Sequence, residues 1–158
     1  MKISYAITVC NEFQEIQRLL NVLSHFKRKE DEIVVLFDSN NGTEEVQNYL
    51  SSKLKNYNPY PFDGHFDKMK NYLTEKCSGD YIYQIDADEM VTPSILEDLG
   101  TMLEMNPTID VLRVPRINTV EGLTQDHINK WGWNVNEKGW VNFPDYQWRI
   151  YRNDSKIK

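Results

Sequence analysis

The chain has 158 residues, 40% of them hydrophobic and 27% charged, the proportions of one ordinary globular domain rather than of a fibrous or disordered protein. Its 24 acidic residues against 18 basic ones leave a net charge of -6, which excludes a broad nucleic-acid surface, because neutralising phosphates needs clustered Lys and Arg. Two cysteines, Cys10 and Cys77, are too few for a disulfide framework and point to small core residues in a reducing, cytoplasmic setting; no apolar run reaches membrane-spanning length, and Met1 to Asn11 is too short and polar for a signal peptide.

Ile3 to Cys10 is an apolar, β-branched run that predicts a buried strand opening into a polar loop at Asn11 and Glu12. A helix follows, with Phe13, Ile16, Leu19, Leu20, Leu23 and Phe26 at helical spacing and Asn11 and Gln14 placed as a capping box. The charged cluster Lys27 to Glu32 should return the chain through solvent to a second strand, Ile33 to Phe37, which ends at Asp38. Ser39 to Gly42 is a turn, and Thr43 can cap a second helix striped with Val46, Tyr49, Leu50 and Leu54. Pro59 and Pro61 make Asn56 to Gly64 irregular. A third helix should bury Phe66, Met69, Tyr72, Leu73 and Cys77 on one face, with Gly79 placed as its C-terminal cap. Tyr81 to Ile85 is the next strand, closed by Asp86-Ala87-Asp88-Glu89. Thr92-Pro93 opens a fourth helix with Leu96, Leu99 and Leu103 facing inward, and Asn106-Pro107 stops it. Ile109 to Val114 is a strand, and Tyr146 to Arg152 alternates as another; between them, Pro115 to Asp145 shows no regular period and carries Trp131, Trp133 and Trp140.

Strands alternating with helices predict an α/β fold with an open, mostly parallel sheet flanked by helices, where ligands bind beyond the carboxyl ends of the strands. Asn11, Asp38, Asp86 and Asp88 all fall at such ends. Two carboxylates separated by one residue on an extended segment project to the same side, an arrangement suited to magnesium or manganese, which takes one or two carboxylates together with substrate phosphates. A solvated acidic turn has the same spacing, so Asp-x-Asp by itself does not decide.

The surrounding run adds specificity. Gly79-Asp80-Tyr81-Ile82-Tyr83-Gln84-Ile85-Asp86-Ala87-Asp88-Glu89 resembles the Gly-acidic-aromatic-apolar segment into Asp-Ala-Asp-Glu of family-two inverting glycosyltransferases of GT-A fold. Lys70-Asn71 resembles the basic-Asn pair on their preceding helix, Ile7 to Glu12 their first-strand signature, and Ile33 to Asp38 their second strand. Gln147 to Arg152 resembles the Arg-apolar-aromatic-Arg strand of a subgroup that includes lipopolysaccharide core enzymes, although the Trp-containing segment and His-Glu pair that follow it there do not appear before Lys158.

The resemblance implies one GT-A domain over 1–158, with 1–114 holding the nucleotide sugar and 115–158 on the acceptor side. The activity implied is an inverting hexosyltransferase, dependent on Mn2+ or Mg2+, that moves a sugar from a UDP-type donor to a saccharide or lipid-linked hydroxyl acceptor. Thr8, Asn11 and Glu12 would wall the nucleotide pocket. Asp38 would accept from the base, or simply form an Asx turn before Asn40-Asn41-Gly42. Asp86 would contact ribose or metal, and Asp88 would be the main metal ligand. Lys70 and Arg149 would meet the diphosphate, or else stand as a solvent-facing helix lysine and a plain strand arginine. Asp126, Glu137 and Asp145, with Glu121 a weaker fourth, are candidate bases for deprotonating the acceptor, and nothing in the sequence chooses among them. The three tryptophans form either a sugar platform or a local core of their own. A nucleotide-sugar-binding module, or a truncated transferase needing a partner chain, is the alternative function. A haloacid-dehalogenase or receiver domain is disfavoured, because the first strand ends in Cys10-Asn11-Glu12 rather than Asp-x-Asp.

Overall fold

The computed structural model describes residues 1–157, so Lys158 lies outside the described residues. Its apolar runs form β1 (Ile3–Val9), β2 (Glu32–Asp38), β3 (Asn58–Tyr60) and β4 (Tyr81–Asp86), all parallel, and β5 (Val111–Asn118) and β6 (Val141–Arg152), which pair antiparallel. The sheet runs β3-β2-β1-β4-β6-β5, with β6 antiparallel to β4, so the sheet is mostly parallel, as the sequence predicts.

Period two sorts each central strand between two cores. Tyr5 and Ile7 of β1 face α1 (Phe13–Phe26), α2 (Glu44–Lys53) and α4 (Pro93–Met105), burying Ile16, Leu20, Val46, Leu50, Leu96 and Leu99. Ala6, Val34, Leu36 and Ile82 face the opposite way, onto Met69, Leu73 and Cys77 around α3 (Phe66–Glu75). Covered on both faces, β1, β2 and β4 read as continuous apolar runs rather than alternating ones.

Several expectations change in three dimensions. Gly79 is not a helix cap: α3 ends at Glu75 with Lys76 in right-handed conformation, and a Cβ on Gly79 would stand 2.7 Å from the backbone nitrogen of Ser4. The glycine is there because two backbones touch. Asn11 and Gln14 make no capping box, since Glu12 occupies the N-cap and its carboxylate folds back to accept from the Cys10 and Asn11 amides at 2.8 and 3.1 Å. The turn after α1 does not simply cross solvent: Asp31, 4% exposed, accepts from the Ile3 amide at 2.8 Å and from Arg28 at 2.9 Å, stitching the start of β1 to that turn. Pro59 sits inside β3, permitted because β3 is a sheet edge, where a missing amide hydrogen costs nothing. Phe66 is mostly exposed at the start of α3, and Cys10 is only half-buried, so neither is the core residue that periodicity predicts.

The stretch from Pro115 to Asp145 also holds more order than its sequence pattern shows. It contains the end of β5, the short helix α5 (Gln125–Trp131) and the first residues of β6. Thr124 caps α5 by accepting from His127, and Gly132 closes it in left-handed conformation. The strand pattern in β6 is masked because its first half is largely exposed, which removes the apolar alternation that reveals a strand.

Two measurements test this account. Gly79→Ala should destabilise the fold by about 2 kcal/mol in urea melts with an unchanged m value, because the added methyl group forces β1 from the Gly79 backbone. Glu32 sits at the same end of the sheet; burial alone would raise its carboxyl, but hydrogen bonds from Lys2, Ser4 and Ser78 outweigh it and pull its pKa from 4.5 to about 2. A carboxylate depressed in the folded state adds stability above its unfolded pKa and loses it as pH falls through the folded one. The stability gap between wild type and Glu32→Gln should therefore be widest at neutral pH and close between about pH 4.5 and 2.

Candidate functional site

Parallel strands that begin together also end together, so the carboxyl ends of β1, β2 and β4 open onto one cleft of about 540 Å3. Thr8, Cys10 and Glu12 line it from β1 and its loop, Asp38 and Asn41 from the end of β2, Asp86, Ala87 and Asp88 from the end of β4, and Phe62, Phe66, Met69 and Lys70 from α3 and the segment before it. The Ala87 amide donates to the Thr8 carbonyl at 3.0 Å, which carries the β1–β4 ladder past the last strand residue and keeps the Asp86-Ala87-Asp88 segment in the cleft.

Asp38 both forms a turn and lines the cleft. Its Oδ1 accepts from the amides of Asn40 and Asn41 at 2.9 and 3.2 Å and its Oδ2 from the Asn41 side chain at 2.8 Å, the Asx turn that the Asn-rich cluster predicts, while the carboxylate also lines the cleft. Burial raises its pKa, yet the hydrogen bonds from Asn41 and Asn40 outweigh that and hold the group below the usual carboxylate range.

Asp86 is the cleft carboxylate that two cations hold. Its Oδ1 accepts from Lys70 Nζ at 2.5 Å and from the Thr8 hydroxyl at 2.9 Å, and its Oδ2 from Arg149 Nη1 at 3.1 Å. Burial pushes its pKa up, but the hydrogen bond and charge of Lys70, followed by Thr8 and Arg149, hold it low. Lys70 and Arg149 are thus neither a solvent-facing helix lysine nor a plain strand arginine. Asp88, by contrast, is exposed in the cleft.

The contacts continue beyond the cleft. Arg149 Nη2 donates to Glu89 Oε1, Glu89 Oε2 accepts the Asp86 amide at 3.1 Å, and Arg116 Nη1 stands 3.9 Å from Glu89 Oε1. Arg116 also grips Asp145 through Nε and Nη2 at 3.0 and 2.7 Å. Lys70, Asp86, Arg149, Glu89, Arg116 and Asp145 form a line of alternating charges from α3 across β4 to β6 and β5. Hydrogen bonds from Asn118, Arg116 and Gln147 pull the Asp145 pKa down.

Other candidates fall elsewhere. Asn11 is exposed and does not line the cleft. Asp126 lies in the first turn of α5, Glu137 in the turn before β6 and Glu121 before α5; all three are exposed and outside the cleft. Asp145 lines a second cavity of about 400 Å3 together with Trp133, Arg116 and Tyr146. The tryptophans divide: Trp131 stacks on His127 and packs against Trp133, whereas Trp140 lies against Phe143. Sequence reasoning missed Glu89 and Arg116 as members of the site. Glu89 adjoins the Asp-Ala-Asp run and was findable by position; Arg116 carries no local signal, because only the β5–β6 pairing brings it to Asp145 and Glu89.

The sequence pattern described as Glycosyl transferase family 2 matches residues 4–153. Among solved structures, residues 1–349 of TarS from S. aureus share the fold at a TM-score of 0.64 and 21% identity, covering 97% of this chain and 47% of that one. The same fragment in complex with UDP-GlcNAc gives 0.64 at 22% identity, covering 78% and 36%. A mannosyltransferase, PcManGT from Pyrobaculum calidifontis, in complex with GDP-Man and Mn2+, gives 0.59 at 13% identity, covering 95% and 44%. At such identities the likeness is one of fold, and the chain spans about half or less of the length of these structures. No curated protein matches it in sequence. The fold is GT-A, and with the pattern running from β1 through β6 over nearly the whole length, the chain belongs to glycosyl transferase family 2.

Proposed function

We propose that the cleft binds a nucleoside diphosphate sugar, with UDP as the favoured nucleotide, and that the domain transfers the sugar to a hydroxyl acceptor. The observation that carries this reading is the charge of the cleft wall: Glu12, Asp38, Asp86 and Asp88 face Lys70, the single lining cation among the described residues. A diphosphate cannot enter such a wall without a counterion.

The residues present fit a divalent cation. Asp88 is exposed in the cleft, and Asp86 lies one residue behind it, its charge shared between Lys70 and Arg149. Mg2+ or Mn2+ needs only one or two carboxylates, since it completes its shell with substrate phosphates and water. Asp88 is the principal ligand in this reading, and Asp86 contacts ribose or metal. When bound, such an ion supplies charge neutralisation for the departing diphosphate.

In this reading Asp38 accepts from the base, Thr8 and Glu12 wall the nucleotide, and Lys70 in the cleft, with Arg149 on the far oxygen of Asp86, exchanges Asp86 for phosphate oxygens. Of the three candidate bases, Asp145 is favoured over Glu137 and Asp126, because it lines a cavity and is linked through Arg116 and Glu89 to the cleft. Asp145 would take the proton of an acceptor hydroxyl that attacks the anomeric carbon in line, with inversion. The Arg149 to Arg152 strand supports placement with the lipopolysaccharide-core-type subgroup, and two unpaired cysteines accord with a cytoplasmic setting.

A second reading has one observation in its favour: none of Asp126, Glu137 and Asp145 lines the cleft itself. A nucleotide-sugar-binding module, or a transferase completed by another chain, would show this separation.

In calorimetry, UDP should bind in the presence of Mn2+ and lose affinity on chelation. Asp88→Asn should weaken it by roughly tenfold or more, the range for a damaged metal site, with the melting temperature unchanged. Equal UDP affinity with and without Mn2+, in wild type and variant alike, would sink the metal-dependent reading. In a transfer assay across saccharide acceptors, Asp145→Asn should lower kcat by roughly a hundredfold or more with UDP affinity intact, and the product anomer should be inverted. UDP binding without transfer to any acceptor or to water selects the binding-module reading.

A further inference from the structure

The second cavity differs in chemistry from the cleft. It lies between β5, β6 and the segment joining α5 to β6, and its charged groups, Arg116 and Asp145, neutralise each other at 2.7 Å. An electrically balanced site offers no surplus to a phosphate or carboxylate ligand. Its amides are half-used among the described residues: Asn118 donates Nδ2 to Asp145 with nothing donating to its oxygen, while Asn142 accepts the Asn134 amide at its oxygen with nothing accepting from its NH2. Acceptor and donor capacity side by side in a neutral pocket match hydroxyl groups, which are both. An acyl chain would instead strip these polar groups of water without replacing the lost hydrogen bonds.

Two aromatic rings complete the cavity, those of Trp133 and Tyr146. The platform continues outward. The Arg113 guanidinium lies 5.2 Å from the Tyr146 ring and 5.1 Å from that of Trp148 and holds both, although Tyr146 is 52% and Trp148 67% exposed. Large rings left in water on one strand face, with a cation between them, present ring faces to a ligand. The cavity also neighbours the cleft, since Arg116 reaches Glu89, the carboxylate that holds Arg149.

We propose that this cavity binds a pyranose ring of a neutral saccharide against Trp133 and Tyr146, and that Trp148 receives the next ring of the same chain. As the seat of the acceptor it rests on the transferase reading; as a sugar site it does not.

Saturation-transfer NMR on the full chain, with millimolar methyl glycosides of glucose, galactose, mannose, N-acetylglucosamine and, as the anionic probe, glucuronic acid, tests it with and without UDP and Mn2+. At least one neutral glycoside should show transfer that UDP does not displace. The signal should fall by roughly tenfold in Tyr146→Ala, an exposed position outside the core, and in Trp133→Ala, the usual loss on truncating an aromatic anchor. Trp148→Ala should spare the monosaccharide and weaken the matching disaccharide. Asp88→Asn should leave glycoside binding intact while UDP binding weakens, which separates failure of the donor reading from failure of this one. Transfer to no neutral glycoside, a preference for the glucuronide, displacement by UDP, or binding that survives both aromatic substitutions overturns the proposal.

Discussion

At the end of β4 a single carboxylate is held from two sides of the sheet. Lys70 reaches Asp86 from α3, and Arg149 reaches it from β6, which runs the opposite way beside β4. These contacts follow from a constraint of parallel sheets: strands that start at one edge deliver their last residues to the other, and here those residues are Asp38 and Asp86, with Glu12 and Asp88 just beyond. Carboxylates brought together repel unless cations or hydrogen-bond donors are supplied. Asn40 and Asn41 provide donors for Asp38, and Lys70, Thr8 and Arg149 for Asp86. Asp88 stays exposed in the cleft.

The same pairing joins the two halves of the domain. The parallel half contributes a rigid platform buried on both faces, while β5 and β6 add an antiparallel ribbon whose outer part is largely exposed. Tyr151 anchors β6 beneath α3 through the Thr74 hydroxyl at 2.9 Å and the Gln84 side chain at 3.0 Å. With that strand fixed, Arg149 is set against Asp86 and Glu89, and Asp145 falls four residues further out, beside Arg116. A line of alternating charges then ties the cleft to the second cavity. Such a line places both cavities in one frame, so a group bound in one is positioned with respect to the other.

The two cavities differ in what they can hold because their electrostatics differ. In the proposed reading, the four carboxylates and Lys70 lining the cleft take a cation and an anion together, whereas a compensated ion pair, two amides and aromatic rings give the second cavity a neutral, hydroxylated ligand. A transferase that moves a sugar from a diphosphate to a hydroxyl needs both kinds of site side by side.

Much of this was legible from the residues in order. Apolar runs and helical stripes marked β1, β2, β4, α1 and α4, because burial on both faces and packing on one leave periodic traces in the sequence. The strand-end positions of Asp38, Asp86 and Asp88 followed from those elements. What stayed hidden was whatever depended on contacts distant in the chain. Gly79 reads as a helix cap until Ser4 is seen against it, and Arg116 reads as a surface arginine until β5 pairs with β6. Asp145 could not be separated from Glu137 and Asp126, since all three are acidic residues in a segment without period, and only the folded ribbon sets one of them in a cavity. Sequence alone determined the α/β fold, the parallel core and the carboxylates at the strand ends, because local propensity and burial pattern act along the chain. Tertiary structure decided which cations neutralise them and where the second cavity lies, because charge pairing acts through space.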